Sequence, residues 1–112
     1  MKDFASSGIV IDEKCVETLV SAIGKDKVLQ AIQILKSDTL TKVELMRVAI
    51  ATGDFEAYSE LLHPMRTGQL TIIGVSELLN EIEDKNNITN PAFEGRVIET
   101  MEKLREAVEN IS

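Results

Sequence analysis

The chain has one histidine, His63, and it is the side chain best suited to do chemistry. An imidazole nitrogen of neutral-pH basicity is a competent nucleophile toward a phosphoryl group. Such a transfer needs mostly in-line positioning and charge neutralisation, both of which a docked partner can supply. Arg66 follows one helical turn later, close enough for its guanidinium to meet an anion carried on the ring. Pro64 comes directly after the histidine within a helical pattern. There it removes a backbone hydrogen bond and crowds the preceding turn, at a cost of ~3 kcal/mol. Gly68 has no side chain, so a bulky partner can approach the backbone closely at that point.

Other reactive groups are less promising. Cys15 is alone, so it forms no internal disulfide, and one Cys with one His does not build a four-ligand zinc site. With the histidine far along the chain it lacks a base, and it reads as a small, semi-buried residue of the first helix. The carboxylate pairs Asp12/Glu13 and Glu81/Glu83 fall where solvated helix faces put them. No Gly-rich phosphate loop of the P-loop or protein-kinase type is present, so a self-sufficient kinase is not expected.

Helical periodicity must position these groups. Asp12 is a good N-cap for a helix carrying Val16, Leu19, Val20 and Ile23, with Gly24 as its C-terminal cap. A second helix starts near Asp26 and runs through Val28, Leu29, Ile32 and Leu35, with Ser37-Asp38-Thr39 as a break or bend. Val43, Met46, Val48, Ala49 and Ile50 continue as helix to Thr52-Gly53-Asp54. Asp54 caps a helix bearing Phe55, Tyr58, Leu61, Leu62 and Met65. Ile72, Ile73, Val75, Leu78, Leu79 and Ile82 belong to another, which fades into a polar loop around residues 84 to 90. Asn90 caps the last helix with Pro91 in its first position, and Phe93, Val97, Met101, Leu104, Val108 and Ile111 form a seam. No segment shows sustained two-residue alternation. The expectation is one all-α domain over residues 1–112: an antiparallel up-and-down four-helix bundle with a short N-terminal helix.

On a wheel of about 100° per residue, His63 comes out about 150° from the centre of its helix's apolar arc. Its neighbours on that face are Glu56, Ser59, Glu60, Arg66 and Thr67, so the ring is predicted to stand in water.

Bulk composition narrows the function classes. A chain of 112 residues that is 44% apolar is long enough for one packed core. A net charge of −7 repels a nucleic-acid backbone, and the basic residues are scattered singly without aromatic interleaving. No stretch approaches the ~20 apolar residues of a membrane span, and residues 1–8 contain no long apolar run of a signal peptide. A cytoplasmic protein with no membrane or nucleic-acid partner is expected.

The pattern resembles a histidine-containing phosphotransfer domain of bacterial multistep phosphorelays, from Ile11 to about Glu83. Members commonly open with an Ile-Asp pair before a helix ending in Gly-Asp, to which Ile11-Asp12 and Gly24-Lys25-Asp26 are similar. The family's Ala-x-Gly-Asp turn looks like Ala51-Thr52-Gly53-Asp54, and its histidine usually follows that Asp by nine positions, as His63 follows Asp54. Beyond the histidine, Met65 stands at an apolar position and Arg66 at the usual lysine. Thr67 replaces a Gly, and Gly68 and Gln69 fill small positions. Gly74 arrives one residue late, implying an inserted residue or a distorted turn between Thr67 and Ile73.

The resemblance implies a stoichiometric phosphocarrier, not an enzyme. His63 would exchange a phosphoryl group with the aspartate of response-regulator receiver domains, fed by a hybrid sensor kinase. Arg66 would help neutralise the phosphoryl charge. Ser59, Glu60, Leu62, Pro64, Thr67, Gly68, Gln69 and Leu70 would form the docking edge, with Thr67 and Gln69 offering hydrogen bonds and Met65 adding to the apolar patch. No cofactor or metal is expected in this chain; Mg²⁺ would sit on the receiver. The departures at Pro64 and Gly74 motivate an alternative, a relative that docks a receiver or kinase without transferring phosphate.

Overall fold

The computed structural model describes residues 11–69 and 75–111. Among the described residues the regular structure is entirely helical. Helix α1 (Glu13–Ile23) opens after Asp12, whose carboxylate accepts the Cys15 N–H at 3.2 Å. Gly24 separates it from α2 with φ +93°, a conformation strained for any residue with a Cβ.

Helix α2 (Lys25–Thr52) has 28 residues and spans about 42 Å at 1.5 Å per residue. It runs through Ser37-Asp38-Thr39 unbroken, where a break or bend was expected. Thr39 faces the core and is buried, while Asp38 pairs with Lys42 one turn on at 3.0 Å, so tertiary packing overrides weak local propensity. Gly53 (φ +73°) ends the helix, and the Asp54 N–H returns to the Ala49 carbonyl at 2.8 Å. Asp54 then caps α3 (Phe55–Pro64) by accepting the Ala57 N–H at 3.1 Å.

After a π-helical turn at Met65–Gln69 come α4 (Ser76–Ile82), the single-turn α5 (Lys85–Ile88) and α6 (Phe93–Glu109). The expected loop at 84–90 therefore contains helix: Asp84 caps α5, and Ile88, its one large apolar residue, is fully buried. Asn90 does not cap the last helix directly. Its carboxamide oxygen accepts the Ala92 N–H at 2.9 Å in a turn, and α6 starts at Phe93.

Contacts at their ends show that α2 and α6 run antiparallel. At the start of α2, the Lys25 ammonium donates to the carbonyls of Glu109 and Ile111. Near its end, Arg47 donates to the Ile88 carbonyl at 2.6 Å, the Asn90 carbonyl at 3.0 Å and the Glu94 carboxylate at 2.7 Å. The core lies between α2, α3, α4 and α6, built on Val28, Ile32, Val43, Met46, Tyr58, Leu62, Leu78, Ile82 and the expected α6 seam from Phe93 to Val108. Helix α1 packs against α2 and α6 through Val16, Leu19 and Val20.

A buried ion pair sits inside this core. Glu81 of α4 and Arg96 of α6 are buried and joined by three contacts of 2.8–3.2 Å. Glu81 thus does not lie on a solvated face as expected, because an opposite charge waits on the facing helix. Glu83, by contrast, is exposed.

Candidate functional site

Helix α3 presents its buried side through Tyr58 and Leu62, and Met65 continues that line into the π turn. The opposite side carries Ser59, Glu60 and His63, all exposed. The imidazole therefore stands in solvent, where the helical wheel puts it. Among the described residues no hydrogen bond or ion pair engages its ring.

The backbone beside His63 departs from α geometry. Pro64 has no N–H to offer the Glu60 carbonyl, and it closes α3. The Met65 N–H turns back to the Leu62 carbonyl, and the chain then widens into the π turn Met65–Gln69. The Thr67 hydroxyl donates to the Pro64 carbonyl at 2.9 Å, satisfying an acceptor at the junction. Of the stretch from Thr67 to Ile73, where an inserted residue or a distorted turn was expected, the π turn covers residues 67–69, and the rest lies outside the described residues.

Arg66 lies on this turn with its side chain 56% exposed. Its Nε donates to Glu83 Oε1, just beyond the end of α4, at 3.3 Å. The terminal nitrogens of the guanidinium have no partner among the described residues, which leaves the fork open to an anion. Glu83 itself is anchored through its backbone. The Tyr58 hydroxyl donates to the Glu83 carbonyl at 3.1 Å and to the Ile82 carbonyl at 3.3 Å. Burial pushes the Tyr58 phenol above its ordinary value; Arg66 pulls it back, while Asp84 and Glu83 add to the rise.

Of the expected docking edge, Ser59, Glu60, Pro64 and Thr67 are exposed, as are His63 and Arg66. Gly68 and Gln69 contribute backbone to the π turn. Leu62 does not belong to the edge: at 2% exposed it packs inward, on the core line between Tyr58 and Met65, so a partner cannot touch it. Met65 is withdrawn from the patch for the same reason. Leu70 and Gly74 lie outside the described residues.

Two residues take positions that spacing alone did not assign them. Glu83 pairs with Arg66 across the chain, a contact between positions 17 apart. Phe55, expected in the core, is exposed at the start of α3, where the Lys85 ammonium sits 4.1 Å from its ring centroid.

Elsewhere, Cys15 is half-buried as expected, and its thiol donates to Asp12 Oδ2 at 3.3 Å. That bond, followed by burial, pushes the thiol above its ordinary value and away from the reactive thiolate. Among the described residues no three His, Cys, Asp or Glu side chains group as metal ligands, and no helix is long and apolar enough to cross a membrane.

What the site can do follows from these parts. A solvent-facing imidazole can attack an electrophile delivered by a partner, and a neighbouring guanidinium can hold the anion so formed. No protein-family model, curated protein or solved structure matches the chain.

Proposed function

We propose that this chain is a phosphorelay intermediate that carries a phosphoryl group on His63. The observation that carries the reading is the exposed imidazole on the solvent side of α3, one turn before a guanidinium; among the described residues the ring is unengaged and the terminal nitrogens of the guanidinium are open. In the reaction, one ring nitrogen attacks the phosphorus of an aspartyl phosphate on a response-regulator receiver domain. The N–P bond forms as the P–O bond breaks, the electron pair returns to the aspartate carboxylate, and the proton on the other ring nitrogen leaves to solvent. The reverse passes the group onward. Arg66 offsets charge on the phosphoryl oxygens. Mg²⁺ belongs to the receiver, and a hybrid sensor kinase stands upstream. The chain itself acts stoichiometrically in the cytoplasm, without its own nucleotide site or cofactor.

The fold that goes with this function is an antiparallel up-and-down four-helix bundle of α2, α3, α4 and α6, with α1 as the extra N-terminal helix. The antiparallel course of α2 and α6 supports it, as does the tight Gly53-Asp54 connection into α3. The π turn supports the resemblance as well. Its wider, i→i+5 geometry takes up one residue more than an α turn, the amount by which Gly74 falls late against the family spacing.

Incubation with a phosphorylated receiver and Mg²⁺ tests the proposal. One phosphoryl group per chain is expected, labile in acid and stable in alkali. His63→Gln should stay folded and load none, since an exposed side chain contributes within about 0.5 kcal/mol to stability.

Pro64 and the π turn favour one second reading, a docking module that binds a receiver or kinase without chemistry, because they re-aim the side chains a receiver would meet. Tight receiver binding that survives His63→Ala, with no phosphate transferred to the unaltered chain, would select that reading.

A further inference from the structure

We infer that Glu83 is the built-in counter-charge that sets how tightly Arg66 holds the phosphoryl group on His63. This rests on His63 being the acceptor. The carboxylate is presented from a fixed point: the Glu83 N–H is bonded to the Leu79 carbonyl at 3.1 Å, and its own carbonyl accepts the Tyr58 hydroxyl at 3.1 Å. Two residues earlier, Glu81 is locked to Arg96 inside the core. Arg66, by contrast, projects from an exposed π turn and reaches Glu83 through Nε alone, at 3.3 Å. A phosphoryl dianion on the ring therefore shares the guanidinium's charge with Glu83 and engages the terminal nitrogens that Glu83 leaves open.

This arrangement suits a carrier, which must release what it binds. An arginine with no counter-charge would retain the group and slow its onward transfer. Both side chains are substantially exposed, at 56% and 38%, so this sharing has the strength of an exposed ion pair, about two- to fivefold in rate or equilibrium. Glu83 acts through Arg66 and is a positioning residue.

The test uses the full chain and phosphoramidate, a small donor that needs no docking surface. The ring nitrogen displaces ammonia, which leaves with the electron pair of the broken P–N bond, and the second ring nitrogen gives its proton to solvent. After removal of donor, the half-life of the label is followed in the unaltered chain, Glu83→Gln, Arg66→Gln and the double variant, with circular dichroism to show that each is folded. Glu83→Gln is expected to lengthen the half-life about two- to fivefold, a gain that shrinks at high ionic strength. Arg66→Gln shortens it, and the double variant matches Arg66→Gln. An unchanged or shortened half-life in Glu83→Gln overturns the inference, as does a gain that persists without Arg66 or is indifferent to salt. If the unaltered chain takes label neither from phosphoramidate nor from a phosphorylated receiver, the acceptor role of His63 falls first and the inference with it.

Discussion

Glu81→Gln is the sharpest probe of how the helices that frame the site are held together. Glu81 and Arg96 side chains are 2% and 3% exposed, and their three contacts of 2.8–3.2 Å bridge α4 to α6. The substitution keeps shape and some hydrogen bonding but removes the charge that offsets a buried guanidinium. Breaking one partner of a buried pair costs about 3–5 kcal/mol. For 112 residues, total stability is about 6–17 kcal/mol, so the loss is a large fraction of it. With an unfolding entropy of about 2.1 cal/mol/K per residue, the melting temperature should fall by about 13–21 °C. Urea unfolding at pH 7 and 25 °C, followed by helical circular dichroism, should show the midpoint dropping with little change in slope. Replacing both partners together, Glu81→Leu with Arg96→Met, should recover most of the loss, because the cost lies in a buried charge that Glu81 no longer offsets and not in the missing bond. A Glu81→Gln loss below about 1 kcal/mol would refute the reasoning, since only a solvated pair is worth so little.

Tyr58, the one tyrosine, reports on the Arg66–Glu83 cluster. Its phenol is raised, so the neutral form it stabilises contributes fully below pH ~10 and that contribution is lost as pH rises through the folded-state value. Phenolate absorbance should show the midpoint moving further up in Arg66→Gln and down in Glu83→Gln; shifts of the same sign in both would contradict the geometry. Asp12 and Cys15 form a second reporter. The Cys15 thiol, held up first by its bond to Asp12, should be alkylated at pH 8 more slowly than a free thiol. Asp12→Ser keeps an N-cap and should speed the reaction, so equal rates would count against that bond. The Asp12 carboxyl is lowered, chiefly by the Cys15 N–H, so its capping contribution is present above the usual carboxylate range and lost as pH falls through the folded-state value.

Local signals carried much of the helical layout. Asp12, Gly24, Gly53 and Asp54 end or start helices through bonds to residues at most five positions away, so their types alone announce the boundaries. The 3.6-residue period likewise turned His63 outward and placed the α6 seam inward. What escaped depends on partners remote in the chain. Ser37-Asp38-Thr39 reads as a helix breaker until Thr39 has a core to face. Glu81 and Arg96 look like surface charges until α4 meets α6, although each stands beside core positions of its helix, at Leu78 and Ile82 and at Phe93 and Val97. Asp84 and Ile88 hid a turn of helix within a polar run, because a single apolar residue makes no period. At the site, the wheel placed Leu62 with the core, while the proposed docking edge put it in reach of a partner; its burial sides with the wheel. Glu83 could not be foreseen, since nothing near Arg66 in the chain points to it.

Phosphorus and nitrogen NMR of the chain, mixed with a phosphorylated receiver domain, tests the central claim most directly. A single phosphoramidate signal should arise, with the ring nitrogens of His63 shifting in step with it and the helical core resonances holding still. A receiver that discharges only to inorganic phosphate while the His63 ring stays unmodified, or a label found on any other residue, would contradict the account.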